Sequence, residues 1–142
     1  MEHVILVDPF DLEIGTMEKL EAHQKGLLHR AFSILLFNSQ GELMLQRRSI
    51  NKYQSPGLWT NTCCSHPRPN ENTLSAAMRR LQEEMGLSSN LKEIFHFTYR
   101  AELEDGLIEH EIDHVFLGLT HENPTINLSE VMSYKWINLD YA

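Results

Sequence analysis

The amino-acid sequence predicts an α+β fold, in which a mixed, mostly antiparallel sheet packs with few helices, one of them major. Apolar segments typical of strands occur in pairs, and short runs of turn residues join the members of each pair. Apolar residues recur at helical spacing most clearly over residues 73–85, which predicts the major helix.

The first 26 residues predict one strand and one short helix. His3–Val7 is a short apolar run, as expected of a strand. Thr16 is a suitable N-cap for a helix that continues through Ala22 and ends before Gly26.

Two further strands and a loop follow. Residues 30–37 are largely apolar, residues 38–41 have turn composition, and residues 42–48 return as a partner strand. This pattern predicts a β-hairpin. The polar stretch 49–58, which contains Pro56-Gly57, predicts a surface loop.

The major helix is predicted to run from about Thr73 to Met85. Asn72 or Thr73 can cap its start, and Gly86 stands where a left-handed C-cap is favoured. Five apolar side chains at helical spacing are expected to face the core: Leu74, Ala77, Met78, Leu81 and Met85.

The C-terminal part predicts a second hairpin and a last strand. Leu91–Leu103 and Leu107–Leu119 alternate as strands do, and Glu104-Asp105-Gly106 is the turn between them. Tyr134–Ile137 predicts the last strand.

Composition limits the class of protein. The chain has 142 residues, of which 42% are hydrophobic, so we expect one domain over residues 1–142. The formal net charge of −8 argues against nucleic acid as a partner, and no apolar run is long enough to cross a membrane. Two adjacent cysteines do not form an ordinary disulfide, which favours a reducing, cytoplasmic location. We expect a small-molecule substrate and a monomer or weak dimer.

Several residues suggest metal-assisted proton transfer. Cys64 and His66 lie two residues apart, and so do Glu109 and Glu111, which in a strand share one face. With two histidines of the N-terminal third, His23 and His29, three imidazoles and two carboxylates could converge on one metal ion beside a thiol.

The segment from Ser65 to Leu87 resembles the Nudix box, a loop–helix–loop that presents carboxylates to divalent metals bound to a diphosphate. Seven positions match the family pattern, namely Glu71, Arg79, Leu81, Glu83, Glu84, Gly86 and Leu87. Ser65 replaces the first glycine of the pattern, and Arg80 replaces its first helix glutamate. A cation in place of a metal carboxylate argues against ordinary Nudix hydrolysis.

The chain as a whole resembles the type I isopentenyl-diphosphate Δ-isomerases, Nudix-fold enzymes of isoprenoid biosynthesis. The matching stretches follow in the expected order and cover residues 20–23, 28–33, 57–61, 64–67, 97–101, 109–111 and 130–136. The resemblance implies a Nudix-like fold and interconversion of isopentenyl and dimethylallyl diphosphate through a tertiary carbocation.

The resemblance also implies a six-coordinate metal site. Its ligands carry over to His23, His29, His66, Glu109 and Glu111. Imidazoles suit Zn and carboxylates suit Mg or Mn, so the mixed ligands leave these three metals open.

The catalytic residues implied by the resemblance are Cys64 and Glu111, with Tyr99 within hydrogen-bonding reach. Glu111 is the better candidate for the proton donor. Cys64 is then the opposing base, partly as a thiolate, because nearby cations lower the pKa of a thiol. Cys63 aligns with an apolar position of the family and serves as the control for the role of Cys64.

The diphosphate contacts are likewise implied by the resemblance. Four basic residues match positions that contact the diphosphate or its Mg²⁺: Lys19, Arg48, Lys52 and Arg80. Glu84 matches the carboxylate that helps to hold this Mg²⁺.

The chain differs from the family pattern at its C-terminal end. The family continues beyond the position of Ala142 with a helical segment that helps to close the pocket, so that Trp59 or a partner chain would have to close it here. Two alternatives to the isomerase are a Nudix-type diphosphate hydrolase and a non-catalytic module that binds metal or diphosphate.

Overall fold

The computed structural model describes residues 2–52 and 54–139, so the chain end at 140–142 lies outside the described residues. Within them the chain forms nine strands and two helices. The strands are β1 (His3–Val7), β2 (Glu13–Glu18), β3 (His29–Phe37), β4 (Glu42–Arg48), β5 (Trp59–Thr60), β6 (Cys63–Ser65), β7 (Lys92–Glu102), β8 (Ile108–Leu119) and β9 (Val131–Asn138). The helices are α1 (Lys19–Lys25) and α2 (Thr73–Met85).

The strands form one mixed sheet around β3. Nine consecutive residue pairs join β3 to β8 in parallel, from His29 with Glu111 to Phe37 with Leu119. The pairings β1–β2, β1–β3, β3–β4, β3–β6, β4–β5, β4–β9 and β7–β8 are all antiparallel. The predicted α+β class with a mostly antiparallel sheet is therefore confirmed.

The N-terminal prediction is partly wrong. Residues 13–18 pair with β1 as a strand, so Thr16 lies inside β2 and does not cap a helix. Helix α1 begins at Lys19 instead, and the carboxylate of Glu18 accepts hydrogen bonds from the backbone amides of Leu20 and Glu21. Gly26 ends α1 at φ 67°, as the sequence predicted. Pairing with β1 overrides the local helical preference, because the strand gains long-range hydrogen bonds.

The predicted hairpin of residues 30–48 has the right strands but little pairing between them. Only Phe37 and Leu43 are paired across the turn. Beyond that point β3 pairs with β6 and β8, while β4 pairs with β5 and β9. The opening of the hairpin admits β6, which carries Cys64, into the sheet.

Helix α2 has the predicted bounds, with Asn72 as N-cap and Gly86 as C-cap, but its buried face is rotated. Leu74 and Met78 are 39% and 45% exposed, contrary to expectation. The buried residues of the helix are Ala76, Ala77, Leu81, Glu84 and Met85. The two alanines are small and let the helix approach the sheet closely. Glu84 can be buried because polar side chains form hydrogen bonds with its carboxylate.

The strands β7 and β8 confirm the predicted second hairpin. The turn Glu104–Gly106 joins them, and their register places Tyr99 opposite Glu111 and Ala101 opposite Glu109. Neither described helix is long and apolar enough to span a membrane.

Candidate active site

Three histidines and one glutamate from four parts of the fold meet at one end of the sheet. His23 lies in α1, His29 begins β3, His66 follows β6, and Glu111 lies in β8. Their potential ligand atoms all lie within 4.8 Å of one another, and His23 and His29 are fully buried. The sequence separates these residues by up to 88 positions, so the pairing of the strands and the packing of α1 bring them together.

The donor atoms converge on a single carboxylate oxygen. The Nε2 atoms of His66, His29 and His23 lie 2.8, 3.0 and 4.0 Å from Oε2 of Glu111. One carboxylate oxygen has about two lone pairs, so it cannot accept a hydrogen bond from all three rings at once. A divalent cation among the four atoms would satisfy all of them, and imidazole with carboxylate is a suitable donor set. The residues therefore fit a metal ion.

The pKa values of His66, Glu111 and His29 are consistent with a metal site. Burial lowers the pKa of His66 to about 4, despite the opposing effect of Glu111, so the ring is neutral at pH 7. Burial alone would raise the pKa of Glu111, but the three neighbouring histidines hold it well below its usual range. Burial also lowers the pKa of His29, but contact with Glu111 outweighs it and the net pKa is raised. A bound cation would compete with a proton for this ring.

Glu109, the fifth expected ligand, lies beside this group rather than within it. Gln54 donates a hydrogen bond to one carboxylate oxygen of Glu109, and the Tyr99 hydroxyl lies 3.4 Å from the other. Burial and the nearby charge of Glu111 raise the pKa of Glu109. In this structure its carboxylate therefore faces the loop at 49–58.

The expected catalytic residues line one cavity of about 390 Å³. Cys64 enters it from β6, Glu111 from β8 and Tyr99 from β7, and the Tyr99 hydroxyl donates to Glu111. Aromatic rings of Phe32, Trp59 and Phe97 also line the cavity. Trp59 is 40% exposed, and the ammonium of Lys135 lies 4.2 Å from its ring centre.

The thiol of Cys64 does not have the expected lowered pKa. Burial raises the pKa of Cys64 to about 12, and its Sγ lies 2.7 Å from Oδ1 of Asn61, to which it donates. Burial therefore keeps the proton on this thiol, and the expected partial thiolate stays a prediction for the protein with a cation bound nearby. Cys63 is fully buried in the hydrophobic core beside Ala77 and Leu81, as a small apolar residue would be.

A second pocket, of about 300 Å³, shares Arg48, Gln54, Cys64, Ser65 and His66 with the first. Its basic lining residues include all four that the sequence predicted to contact a diphosphate, together with one further arginine: Lys19, Arg48, Lys52, Arg68 and Arg80. Three acidic residues, Glu2, Glu84 and Glu130, also line it. The surplus of positive charge suits an anion.

Glu84 and Arg80 are paired on one face of α2. Arg80 donates through two nitrogens to Oε2 of Glu84, and the amide of Gln46 donates to Oε1 at 2.9 Å. Arg80 also lies 3.0 Å from Glu83 and 3.4 Å from Glu130. Glu84 is only 4% exposed, so this pairing compensates for the burial of its charge.

Sequence reasoning missed three residues of the site. Asp113 lines the cavity and accepts a hydrogen bond of 2.7 Å from Ser33, and strand alternation after Glu111 could have identified it. Glu130 pairs with Lys52 and Arg80 in the second pocket. No local pattern marks Glu130 or Gln54, because both act through loops.

Comparison with known proteins identifies the family. The NUDIX domain family matches residues 27–142. Isopentenyl-diphosphate Delta-isomerase 2 of Aromatoleum aromaticum is 54% identical over 138 residues, which cover 97% of this chain and 73% of that protein. Isopentenyl-diphosphate Delta-isomerase of Pectobacterium atrosepticum is also 54% identical, over 99% of this chain and 78% of its own length. The chain belongs to the isopentenyl-diphosphate Delta-isomerase family.

Solved structures support the NUDIX fold of this isomerase-family chain. The crystal structure of DR0079 from Deinococcus radiodurans has a TM-score of 0.79 at 19% identity, over 96% of this chain and 83% of that one. The NUDIX domain of Shewanella oneidensis NrtR, complexed with ADP ribose, has a TM-score of 0.64 at 16% identity, over 94% of this chain and 79% of that one. At these identities the likeness concerns the fold alone.

Proposed function

We propose that the chain interconverts isopentenyl diphosphate and dimethylallyl diphosphate. The reaction adds a proton at C4 of isopentenyl diphosphate and removes one from C2, through a tertiary carbocation at C3. One observation carries this proposal: a thiol and a carboxylate, Cys64 and Glu111, line one aromatic cavity beside a group of histidines that could hold a metal ion. The names of the two similar proteins from Aromatoleum aromaticum and Pectobacterium atrosepticum agree with it.

Cys64 and Glu111 are the proposed acid–base pair, with Tyr99 holding the Glu111 carboxylate. In the isopentenyl-to-dimethylallyl direction Glu111 is the proposed donor and Cys64 the proposed acceptor. Burial raises the pKa of Cys64 to about 12, and the positive charge of a cation held by the neighbouring histidines would lower it. The opposite reaction uses the same groups with exchanged roles.

The cavity walls would protect and stabilise the carbocation. The faces of Trp59, Phe97 and Phe32 can each attract a cation, worth about 1–2 kcal/mol when water is excluded. Phe32 is buried, whereas Trp59 and Phe97 are 40% and 43% exposed, so the bound substrate itself would have to help exclude the water that would quench the cation.

Two cations are proposed. His23, His29, His66 and Glu111, with Glu109 rotating from Gln54, would hold Zn, Mn or Mg. A cation bound there supplies positive charge that orients Glu111 and tunes its acidity. Glu84 would contribute to Mg²⁺ held with the diphosphate.

The basic pocket would bind the diphosphate. Lys19, Arg48, Lys52 and Arg80 line it next to Cys64, so a substrate anchored there extends its carbon chain into the first cavity. One chain supplies all these side chains, which supports one domain over residues 1–142 that acts as a monomer or weak dimer. We place the protein in the cytoplasm because its two adjacent cysteines favour a reducing compartment.

A hydrolase is the second candidate, and Arg80 argues against it. This guanidinium pairs with Glu84, where a hydrolase would need a second carboxylate for metal. The test is incubation of the metal-loaded chain with isopentenyl diphosphate, with dimethylallyl diphosphate and free phosphate measured in the same sample. We expect conversion without phosphate release. Phosphate release would favour the hydrolase, and metal binding without conversion would favour a non-catalytic binding module.

A further inference from the structure

A second group of potential metal ligands lies away from the proposed active site. Glu93 and His96 in β7 and His114 in β8 offer ligand atoms that all lie within 4.8 Å of one another. We propose that these three side chains bind a divalent transition-metal ion of the Zn²⁺ type.

The group lies on the sheet face opposite to Glu111. His114 follows Glu111 by three positions in β8, and an odd separation reverses the face of a strand. A cation bound by Glu93, His96 and His114 would therefore be separate from one bound by His23, His29, His66 and Glu111.

A β-bulge in β7 creates the three-residue set. His96 is directly opposite His114, but Glu93 lies three residues before His96 and would face the other way in a regular strand. The register shifts between Glu93 and Phe95, so that Glu93 is paired with Phe116. Phe116 and His114 share a face, and the bulge thus turns Glu93 toward the two histidines.

His114 is held in the orientation that a ligand needs. Its Nε2 lies 2.8 Å from Oδ2 of Asp11, in the turn between β1 and β2. Arg30 fixes Asp11 through hydrogen bonds of 2.9 Å to Oδ1 and 2.6 Å to the backbone carbonyl. With Nε2 donating to Asp11, Nδ1 of His114 lies 3.0 Å from Oε1 of Glu93, a contact between two acceptor atoms that a proton or a cation held between them makes favourable. Carboxylates commonly orient metal-binding imidazoles in this way.

The remaining donors can complete the site with small movements. The two histidine rings are stacked with centroids 5.2 Å apart, and Nδ1 of His96 lies 3.9 Å from Oε2 of Glu93. Ligands at 2.0–2.1 Å from Zn²⁺ lie roughly 3–4 Å apart. The His96 side chain is 58% exposed and can rotate by this amount without disturbing the core. Water would fill the open position.

A cation here would join three parts of the fold. Among the described strands β7 pairs only with β8, and it carries Tyr99 on its other face. The bound ion would tie β7 to β8 directly and to the β1–β2 turn through Asp11. We therefore expect it to stabilise the strand pair that supports the active site without taking part in catalysis.

The experiment compares Zn²⁺ binding by the full chain and its variants, in competition with a chromogenic chelator at micromolar free Zn²⁺. His96→Ala and Glu93→Gln remove ligands that are exposed, so both variants are expected to fold. His121→Ala removes an exposed histidine outside the group and is the matched control. Turnover of isopentenyl diphosphate is measured on the same proteins.

We expect the parent chain and His121→Ala each to bind one more equivalent of Zn²⁺ than His96→Ala. In Glu93→Gln the association constant of this site for Zn²⁺ should be at least tenfold lower than in the parent. Turnover should be unchanged in all of them, which separates this site from the proposed active site. Equal Zn²⁺ equivalents in the parent and in His96→Ala would overturn the proposal.

Discussion

His29 and Glu111 are partners in the parallel register of β3 and β8, and Nε2 of His29 lies 3.0 Å from Oε2 of Glu111. The contact between two proposed metal ligands is thus also a contact between the two central strands of the sheet. Any cation that binds there binds the folded chain and not the unfolded one, so metal binding and stability are linked.

Removal of the cation should therefore lower stability. At a free metal concentration 100 times the dissociation constant, binding adds about 2.7 kcal/mol to the free energy of unfolding. Thermal unfolding of the Mn²⁺-loaded chain before and after chelation measures this difference. We expect His66→Ala to lose most of the shift and His121→Ala to retain it. An equal shift in His66→Ala and the parent would show that His66 is not a ligand.

The adjacent cysteines offer a matched pair of variants. Cys64→Ala should reduce turnover by about 10²–10⁴-fold, because it removes one member of the acid–base pair. Cys63→Ala should keep near-normal turnover, since Cys63 is buried in the core and only its packing is lost. Steady-state kinetics with isopentenyl diphosphate measures both. Similar losses of turnover in the two variants would refute the role of Cys64.

Much of this site could be predicted from the sequence, because its residues lie in regular elements. Alternation in β8 placed Glu109 and Glu111 on one face, and the register now puts Tyr99 opposite Glu111. The prediction failed where tertiary contacts decide the outcome. The exposure of Leu74 and Met78 depends on the approach of α2 to the sheet, and the strand at 13–18 depends on its pairing with β1. Burial of the Cys64 thiol, which raises its pKa, could not be predicted from the sequence either.

The two neighbouring arginines of α2 should differ in their effect on stability. Arg80→Ala leaves the buried carboxylate of Glu84 without its cation, which is expected to cost about 3 kcal/mol or more. Arg79→Ala removes pairs with the more exposed Glu71 and Glu83 and should cost about 1 kcal/mol. Urea unfolding of the two variants measures this. Equal losses of unfolding free energy in the two variants would mean that another cation pairs with Glu84 when Arg80 is absent.

Asp113 should make stability fall as pH rises from about 4 to 6. Burial raises the pKa of Asp113 to about 6, so in this window the folded chain binds a proton that the unfolded chain releases. Asp113→Asn has no such proton. Between pH 4.5 and pH 8 we expect the free energy of unfolding of this variant to rise by about 1–2 kcal/mol relative to that of the parent. Denaturant unfolding of both proteins at both pH values measures this difference. A difference that is the same at pH 4.5 and pH 8 would contradict the role of Asp113.

The most direct test of the central claim is proton NMR of isopentenyl diphosphate with the metal-loaded chain in D₂O. If Cys64 and Glu111 exchange protons with the substrate, dimethylallyl diphosphate should appear with deuterium in the methyl group formed from C4, and Glu111→Gln should abolish its formation. Deuterated product from Glu111→Gln at the parent's rate, or no product from the metal-loaded parent, would contradict the account.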